Sequence, residues 1–263
     1  MKLAVLAENT TLREDLKSEH GLSLYLEACG KRILFDAGQT GAFADNAEKM
    51  GIGLEKVDLA ILSHGHYDHG GGLCRFLEIN HTAPIYLSRH AFGAHFNGTE
   101  KYIGLDPSLR NTDRLIFTED TVTLSPGLTL SACLDREPVF PVKSFGLNIR
   151  HNDRFSPDSF RHEHYLIIEE AGKRYCVSGC SHRGALNLLR WFSPDVLIGG
   201  FHFMKLDPEG EGADALRDAA EVLLAHHGDY YTGHCTGQPQ FRFLKEILGQ
   251  RLYSLSTGAC FTL

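Results

Sequence analysis

Ser63-His64-Gly65-His66-Tyr67-Asp68-His69-Gly70-Gly71 sets three imidazoles and a carboxylate within six residues, directly after the apolar run Leu59-Ala60-Ile61-Leu62. The apolar run reads as a buried strand over residues 58–63, and the polar run as the loop at its end. In such a turn His64 and His66 can face one point while Asp68 and His69 face another. Neutral imidazole nitrogen and carboxylate oxygen together suit Zn²⁺, Fe²⁺ or Mn²⁺. Gly65 leaves the backbone free to turn, and Gly70-Gly71-Gly72 lets it close tightly before the next helix. A merely solvated loop would not be expected to abut a buried strand and to have partner histidine loops downstream.

Those partner loops repeat one pattern, an apolar strand running into a Gly- and His-containing segment. Tyr175-Cys176-Val177 leads into Ser178-Gly179-Cys180-Ser181-His182, and Val196-Leu197-Ile198 into Gly199-Gly200-Phe201-His202. Tyr230-Tyr231-Thr232 leads into Gly233-His234-Cys235-Thr236-Gly237. Ligands at strand ends converge on one edge of a sheet, where open α/β folds place their sites.

The rest of the chain reads as strands interleaved with helices. Strands are predicted at residues 3–7, 22–28, 32–35, 85–88 and 196–198, and hairpins at 121–132 and 165–177. Helices are predicted at 42–50, 72–79, 89–96, 185–192, 212–227 and 238–248. Residues 97–115 and 135–161 lack periodicity and read as irregular insertions, the second carrying three Pro. Long loops inside compact domains tend to be functional. No linker divides the chain, so residues 1–263 read as one α/β or mixed-sheet (α+β) domain.

The composition agrees with a soluble globular protein: 43% hydrophobic and 22% charged residues exclude disorder, collagen-like repeats and coiled coil. No run approaches the roughly 18 apolar residues of a membrane helix. The segment 1–7 is too short an apolar core for a secretory signal. The net charge of −7 argues against wrapping nucleic acid by charge. Seven Cys, an odd number without Cys-x-x-Cys pairs, argue against a disulfide framework and for reduced thiols in a cytoplasm. Fifteen His is a high count. Of these, His81, His90, His95, His226 and His227 read as ordinary. His151, His162 and His164 lie with Arg150, Arg154 and Arg161 in or just after the second insertion. That mix can receive an anionic substrate, because Arg forks match phosphate and carboxylate. Arg150 and Arg154 are the candidate substrate contacts, although each residue of the group taken singly reads as part of a solvated loop. Val139-Phe140-Pro141-Val142 and Phe145 either line a cleft or pack on a partner subunit.

The quoted run resembles the HxHxDH signature of the metallo-β-lactamase-fold hydrolases. Glu19-His20-Gly21-Leu22-Ser23, Leu34-Phe35-Asp36-Ala37-Gly38 and the three later loops extend the likeness to one branch. That branch is similar to the dihydropterin-ribofuranosylaminobenzene phosphate synthases of methanopterin biosynthesis and their bacterial relatives. The resemblance implies a four-layer αββα sandwich with one or two divalent cations, Zn²⁺ first and Fe²⁺ or Mn²⁺ as alternatives, at one edge. It assigns His64 and His66 to a first metal, Asp68 and His69 to a second, and His234 as the late histidine of the second. Many relatives place a bridging Asp where this chain has Cys180. His182, two residues on, can supply the third nitrogen of the first metal. Cys180 itself can be a thiolate ligand or bridge, a nucleophile, or a plain strand-end residue. Asp36 resembles the carboxylate that holds a metal-bound imidazole from behind. His20 is a candidate to line the cleft, and His202 to act as general acid or base or to touch a substrate phosphate.

The expected reaction is hydrolysis of an ester-like bond (phosphoester, thioester or lactone) in an anionic small molecule by metal-activated hydroxide. Asp68 and His202 would manage the protons. The alternatives are a pterin-type transferase releasing pyrophosphate and a non-catalytic metal- or ligand-binding protein. Neither a nucleic-acid nor a membrane partner is expected, and a homo-oligomer stays open.

Overall fold

The computed structural model describes residues 1–263. In chain order the strands are β1 (Lys2–Ala7), β2 (Ser23–Ala28), β3 (Lys31–Phe35), β4 (Leu59–Ile61), β5 (Ile85–Ser88), β6 (Ala94–Asn97), β7 (Lys101–Tyr102), β8 (Leu115–Thr118), β9 (Thr121–Ser125), β10 (Leu128–Ser131), β11 (Leu147–His151), β12 (Arg154–Pro157), β13 (Tyr165–Glu170), β14 (Lys173–Val177), β15 (Val196–Ile198), β16 (Asp229–Thr232), β17 (Leu252–Ser254) and β18 (Cys260–Thr262). The helices are α1 (Ala42–Lys49), α2 (Tyr67–Gly70), α3 (Leu73–Ile79), α4 (Ala185–Phe192), α5 (Gly212–Ala225) and α6 (Gln238–Leu248).

Two seven-stranded sheets run β18-β1-β2-β3-β4-β5-β8 and β17-β16-β15-β14-β13-β10-β9. Strands are parallel along β3-β4-β5-β8 in one sheet and β14-β15-β16-β17 in the other, and antiparallel elsewhere in both. The hairpins β2–β3 and β13–β14 turn on Cys29-Gly30 and Ala171-Gly172, all four residues at positive φ. Two consecutive left-handed residues match the twist of the flanking strands, and glycine takes that conformation without strain.

Three apolar layers result. Leu24, Phe35 and Ile61 of the first sheet meet Leu130, Leu166 and Val177 of the second. The other face of the first sheet buries Leu34 and Ala60 against Phe43 of α1 and Phe76 of α3. The other face of the second buries Leu197 and Tyr230 against Leu188 of α4, Leu223 of α5 and Leu244 of α6. On α5 the buried residues Ala213, Leu216, Ala219, Ala220 and Leu223 recur every three or four positions, one stripe of a helix. Helix, sheet, sheet, helix is the αββα sandwich expected, a mixed α/β architecture. No helix is long and apolar enough to cross a membrane.

The residues read as a helix at 89–96 form a turn and then β6. Much of the two segments read as irregular is also ordered. A small sheet runs β12-β11-β6-β7, joining the region after residue 93 to the region after residue 146. Periodicity within one segment does not reveal a partner some fifty residues away. This sheet borders the His66 loop: Tyr67 N–H donates to Ile103 O at 2.9 Å, and His66 bridges to Gly104.

Candidate metal centre

The C-terminal ends of β3, β4, β14, β15 and β16 lie on one edge and deliver Asp36, the His64–His69 run, Cys180 with His182, His202 and His234. Gly65 fits only as glycine, because a Cβ there would lie 1.9 Å from Ala91 O. His202 and His234, like Asp36, hold positive φ, a strained conformation that surrounding structure must enforce.

Hydrogen bonds fix which nitrogen of several rings is bare. Asp36 accepts from Ser63 N–H at 2.7 Å and from Ser63 Oγ–H at 2.7 Å. Ser63 Oγ therefore accepts from His64 Nδ1–H at 2.8 Å, leaving His64 Nε2 with its lone pair. His69 Nδ1–H donates to Asp36 Oδ2 at 2.7 Å, leaving its Nε2 bare. His234 Nδ1–H donates to Asn9 Oδ1 at 2.9 Å, an oxygen that also accepts from Gly21 N–H. The bare Nε2 atoms of His69 and His234 then face each other, and that of His64 faces His182. His64 Nε2 is 3.3 Å from His182 Nε2, and His69 Nε2 is 3.2 Å from His234 Nε2.

The facing lone pairs of His69 and His234 repel in this buried site unless a cation lies between them. Two nitrogens held 2.0–2.1 Å from a tetrahedral Zn²⁺ stand about 3.4 Å apart. The donor set therefore fits divalent metal. His64, His66 and His182 form one group whose donor atoms lie within 4.8 Å of one another, and His64, His69 and Cys180 another. Cys180, His234 and Cys235 form a third, and His20, Asp68 and His234 a fourth. Cys180 Sγ, 3.2 Å from His69 Nε2, thus belongs to groups on both sides. Asp68 Oδ2 is 3.3 Å from both His20 Nε2 and His234 Nε2.

The electrostatics keep most of these imidazoles neutral, the form that can ligate a metal. Burial, then neighbouring imidazoles, holds His64 and His182 well below the usual histidine value. Burial likewise lowers His66 well below it, and takes His234 and His202 down to about 4. At His69 burial is outweighed by Asp36 and Asp68, and the value rises. At Asp68 burial is outweighed by His69, His20 and His234, and the carboxyl stays well below its usual range. Burial, then Cys235, pushes the Cys180 thiol well up. A cation beside it would favour the thiolate.

Several partners were not anticipated from the sequence. Glu8 accepts from His234 N–H at 2.5 Å. Glu163 accepts from His182 N–H at 2.7 Å and Arg183 N–H at 3.0 Å, fixing the Cys180 loop. Cys235, next to His234 in its loop, joins the Cys180 group. Position is the signal for Glu8, as for Asp36, since each is a carboxylate at the end of an apolar strand. His162 and His164 are buried rather than solvated. His95, read as ordinary, is buried against Asp158.

A cavity of about 330 Å³ opens beside His182 and His202. Phe140, Pro141, Val142, Phe145, Phe203 and Leu206 supply apolar wall, and Lys143 and Asp218 its charges. Arg150 and Arg154 do not line it. Both are exposed on the β11–β12 hairpin, with Arg150 over the Phe96 ring. A hollow of about 470 Å³ at Arg89, Phe92, Arg110, Phe117 and Glu119 holds none of the clustered imidazoles.

A four-layer sandwich with histidine loops at one edge defines a class. Residues 18–227 match the family model of the metallo-beta-lactamase superfamily, and the chain belongs to it. Within that class it is 31% identical over 261 residues to the 7,8-dihydropterin-6-methyl-4-(beta-D-ribofuranosyl)-aminobenzene-5'-phosphate synthase of Methanocaldococcus jannaschii, covering 88% of this chain and 85% of that protein. A metal-dependent hydrolase of the beta-lactamase superfamily has a crystal structure that superposes with a TM-score of 0.83 at 25% identity, over 100% of this chain and 99% of that one. Zn²⁺-bound PqqB from Methylobacterium extorquens shares the fold, at a TM-score of 0.61 and 13% identity over the whole of both chains.

Proposed function

We propose that the protein is a metal-dependent hydrolase acting on an ester-like bond, a phosphoester, thioester or lactone, in a small anionic molecule with an apolar body. The observation that carries this reading is the convergence of ring nitrogens, His64 with His182 and His69 with His234, with Cys180 Sγ between the groups. His64, His66 and His182 would hold one divalent cation and Asp68, His69 and His234 the other, with Cys180 between them. Zn²⁺ suits this nitrogen, oxygen and sulfur set best. Cations bound there would lower the pKa of a coordinated water towards 7 and polarise the substrate oxygen.

The chain's own groups do the remainder. Asp68, kept ionised by its imidazole neighbours, would accept a hydrogen bond from the attacking water and orient it. His202 is neutral near pH 7. It therefore orients the substrate by donating one N–H rather than serving as a standing acid. The apolar cavity wall binds the non-reacting body of the substrate and excludes water beside the reacting bond. His20 holds Asp68 from the solvent side.

The second reading is a pterin-type transferase that releases pyrophosphate, favoured by the name of the 31% identical relative. Metal content per chain is the first test, on wild type and His66→Ala. The binuclear reading expects about two equivalents in wild type and fewer in the variant. No metal in either, even after reconstitution, would sink it. Turnover of phosphodiesters or lactones in water alone supports the hydrolase. Turnover of a pterin diphosphate only when an aromatic amine is added supports the transferase.

A further inference from the structure

His66, His95, Asp158 and His162 form a buried group beside the metal centre, each offering a donor atom within 4.8 Å of the others'. Three of its nitrogens, His66 Nε2, His95 Nε2 and His162 Nε2, are sealed from solvent with no hydrogen-bond partner. Such sealed polar atoms are costly, and native proteins retain few of them. The surrounding bonds give each ring a definite proton.

Gly65 N–H, which can only donate, points at His162 Nδ1 at 2.9 Å. His162 Nδ1 is therefore an acceptor, and the proton of the neutral ring sits on Nε2, 3.4 Å from Asp158 Oδ2. The Asp158 carboxylate can only accept. Its Oδ1 takes Phe160 N–H at 2.8 Å, and its Oδ2 faces His95 Nδ1 at 2.7 Å. His95 Nδ1 thus carries the proton, and in the neutral ring His95 Nε2 keeps its lone pair. The His95 and His66 rings meet edge to face, with centroids 5.5 Å apart.

We infer that His95 and Asp158 are positioning residues for the metal centre: they hold the His66 proton on Nε2, towards His95, and so reserve His66 Nδ1 for the cation. A metal-bound imidazole generally donates its other N–H to a partner that fixes its tautomer. Asp36 does this directly for His69, and Asp36 through Ser63 for His64. His66 lacks such a partner on its own loop, and the Asp158–His95 pair, brought in by the small third sheet, offers a nitrogen acceptor in the same group of donor atoms within 4.8 Å. Direct metal binding by this group is opposed by Gly65, since a cation on His162 Nε2 would need the nitrogen that already carries the proton.

This inference rests on His66 being a metal ligand. The test is zinc titration of the chelator-stripped protein against a competing chelator, in wild type, Asp158→Asn, His95→Gln and His95→Leu. In Asp158→Asn the amide oxygen stays with Phe160 N–H and the amide NH₂ faces His95. That turns His95 Nδ1 into an acceptor, puts a proton on His95 Nε2, and drives the His66 proton onto Nδ1. One zinc equivalent is expected to weaken about 10- to 100-fold. His95→Leu should weaken it similarly, whereas His95→Gln, which keeps an acceptor towards His66, should stay near wild type. Long-range ¹H–¹⁵N spectra of the zinc-loaded wild type should show the His66 proton on Nε2. Thermal melting of the stripped proteins separates folding defects, and the two His95 variants carry the test if Asp158→Asn does not fold. Unchanged zinc affinity in Asp158→Asn and His95→Leu would overturn the inference. So would a third zinc equivalent lost only in the His95 variants, because the group would then hold an ion itself. Wild type that binds no zinc removes the metal reading of His66 instead, and is read without any variant.

Discussion

At the scale of single residues, Asp36 carries more of the site than any ligand does. Its two oxygens accept from Ser63 N–H, Ser63 Oγ–H and His69 Nδ1–H, so one carboxylate sets the proton on His69 and, through Ser63, on His64. Asp36→Asn would present an NH₂ to one of these donors. We expect metal affinity about 10- to 100-fold weaker, measured by zinc competition, with the loss falling on both ions because both rings depend on this carboxylate. A loss confined to one ion would contradict the sharing. Cys180 gives a second expectation at this scale. It belongs to the groups holding His64 and His69 on one side and His234 on the other. Cys180→Ala is expected to lower bound metal towards about one equivalent per chain, read by elemental analysis. Full occupancy in that variant would reduce Cys180 to a strand-end residue.

At the scale of elements, legibility in the sequence followed the distance between partners. The His64–His69 run and the loops after β14, β15 and β16 are local strings, and each could be read where it stands. Helices α1, α3, α4, α5 and α6 also announce themselves, because a buried stripe repeats within the element. The pairing of β6 with β11 does not, since Phe96 meets Asn148 across some fifty residues, and residues 89–96 taken alone mimic a helix. His95 and Asp158 were missed for the same reason: their bond spans 63 positions and exists only once the third sheet has formed. Glu163 and Glu8 act on loop N–H groups, a role that leaves no spacing pattern. The β4–α2 loop offers a test of close approach. Ala91 O would lie 1.9 Å from a Cβ at residue 65. Gly65→Ala is therefore expected to cost about 1–3 kcal/mol by overpacking. It should also lower bound metal, since the shift falls on His64 and His66. A denaturant midpoint equal to wild type would show that the loop yields freely.

At the scale of the whole molecule, the buried imidazoles link folding to pH. Ions that bind only the folded state stabilise it in proportion to the logarithm of their concentration over Kd. Stripping metal from the protein is expected to lower its melting temperature and to leave the histidines as the dominant titrating groups. His164 isolates the effect because it lies outside the ligand groups. Burial, then His162, holds it down to about 4, against 6.5 in an unfolded chain. Its only side-chain partner is the Thr118 hydroxyl, 3.3–3.4 Å away. Below pH 6.5 the unfolded chain takes up a proton that folded His164 refuses until about pH 4. The stability His164 permits is therefore complete above pH 6.5 and is lost as pH falls towards 4. A difference of this size corresponds to about 3 kcal/mol over that window. His164→Gln cannot take up the proton, so the stripped variant should lose less stability than stripped wild type between pH 7 and pH 4.5, followed by urea melts. Parallel pH profiles for the two proteins would show that His164 titrates freely in the folded state, and the acid sensitivity would then belong to the other buried histidines, His64, His66, His162, His182, His202 and His234.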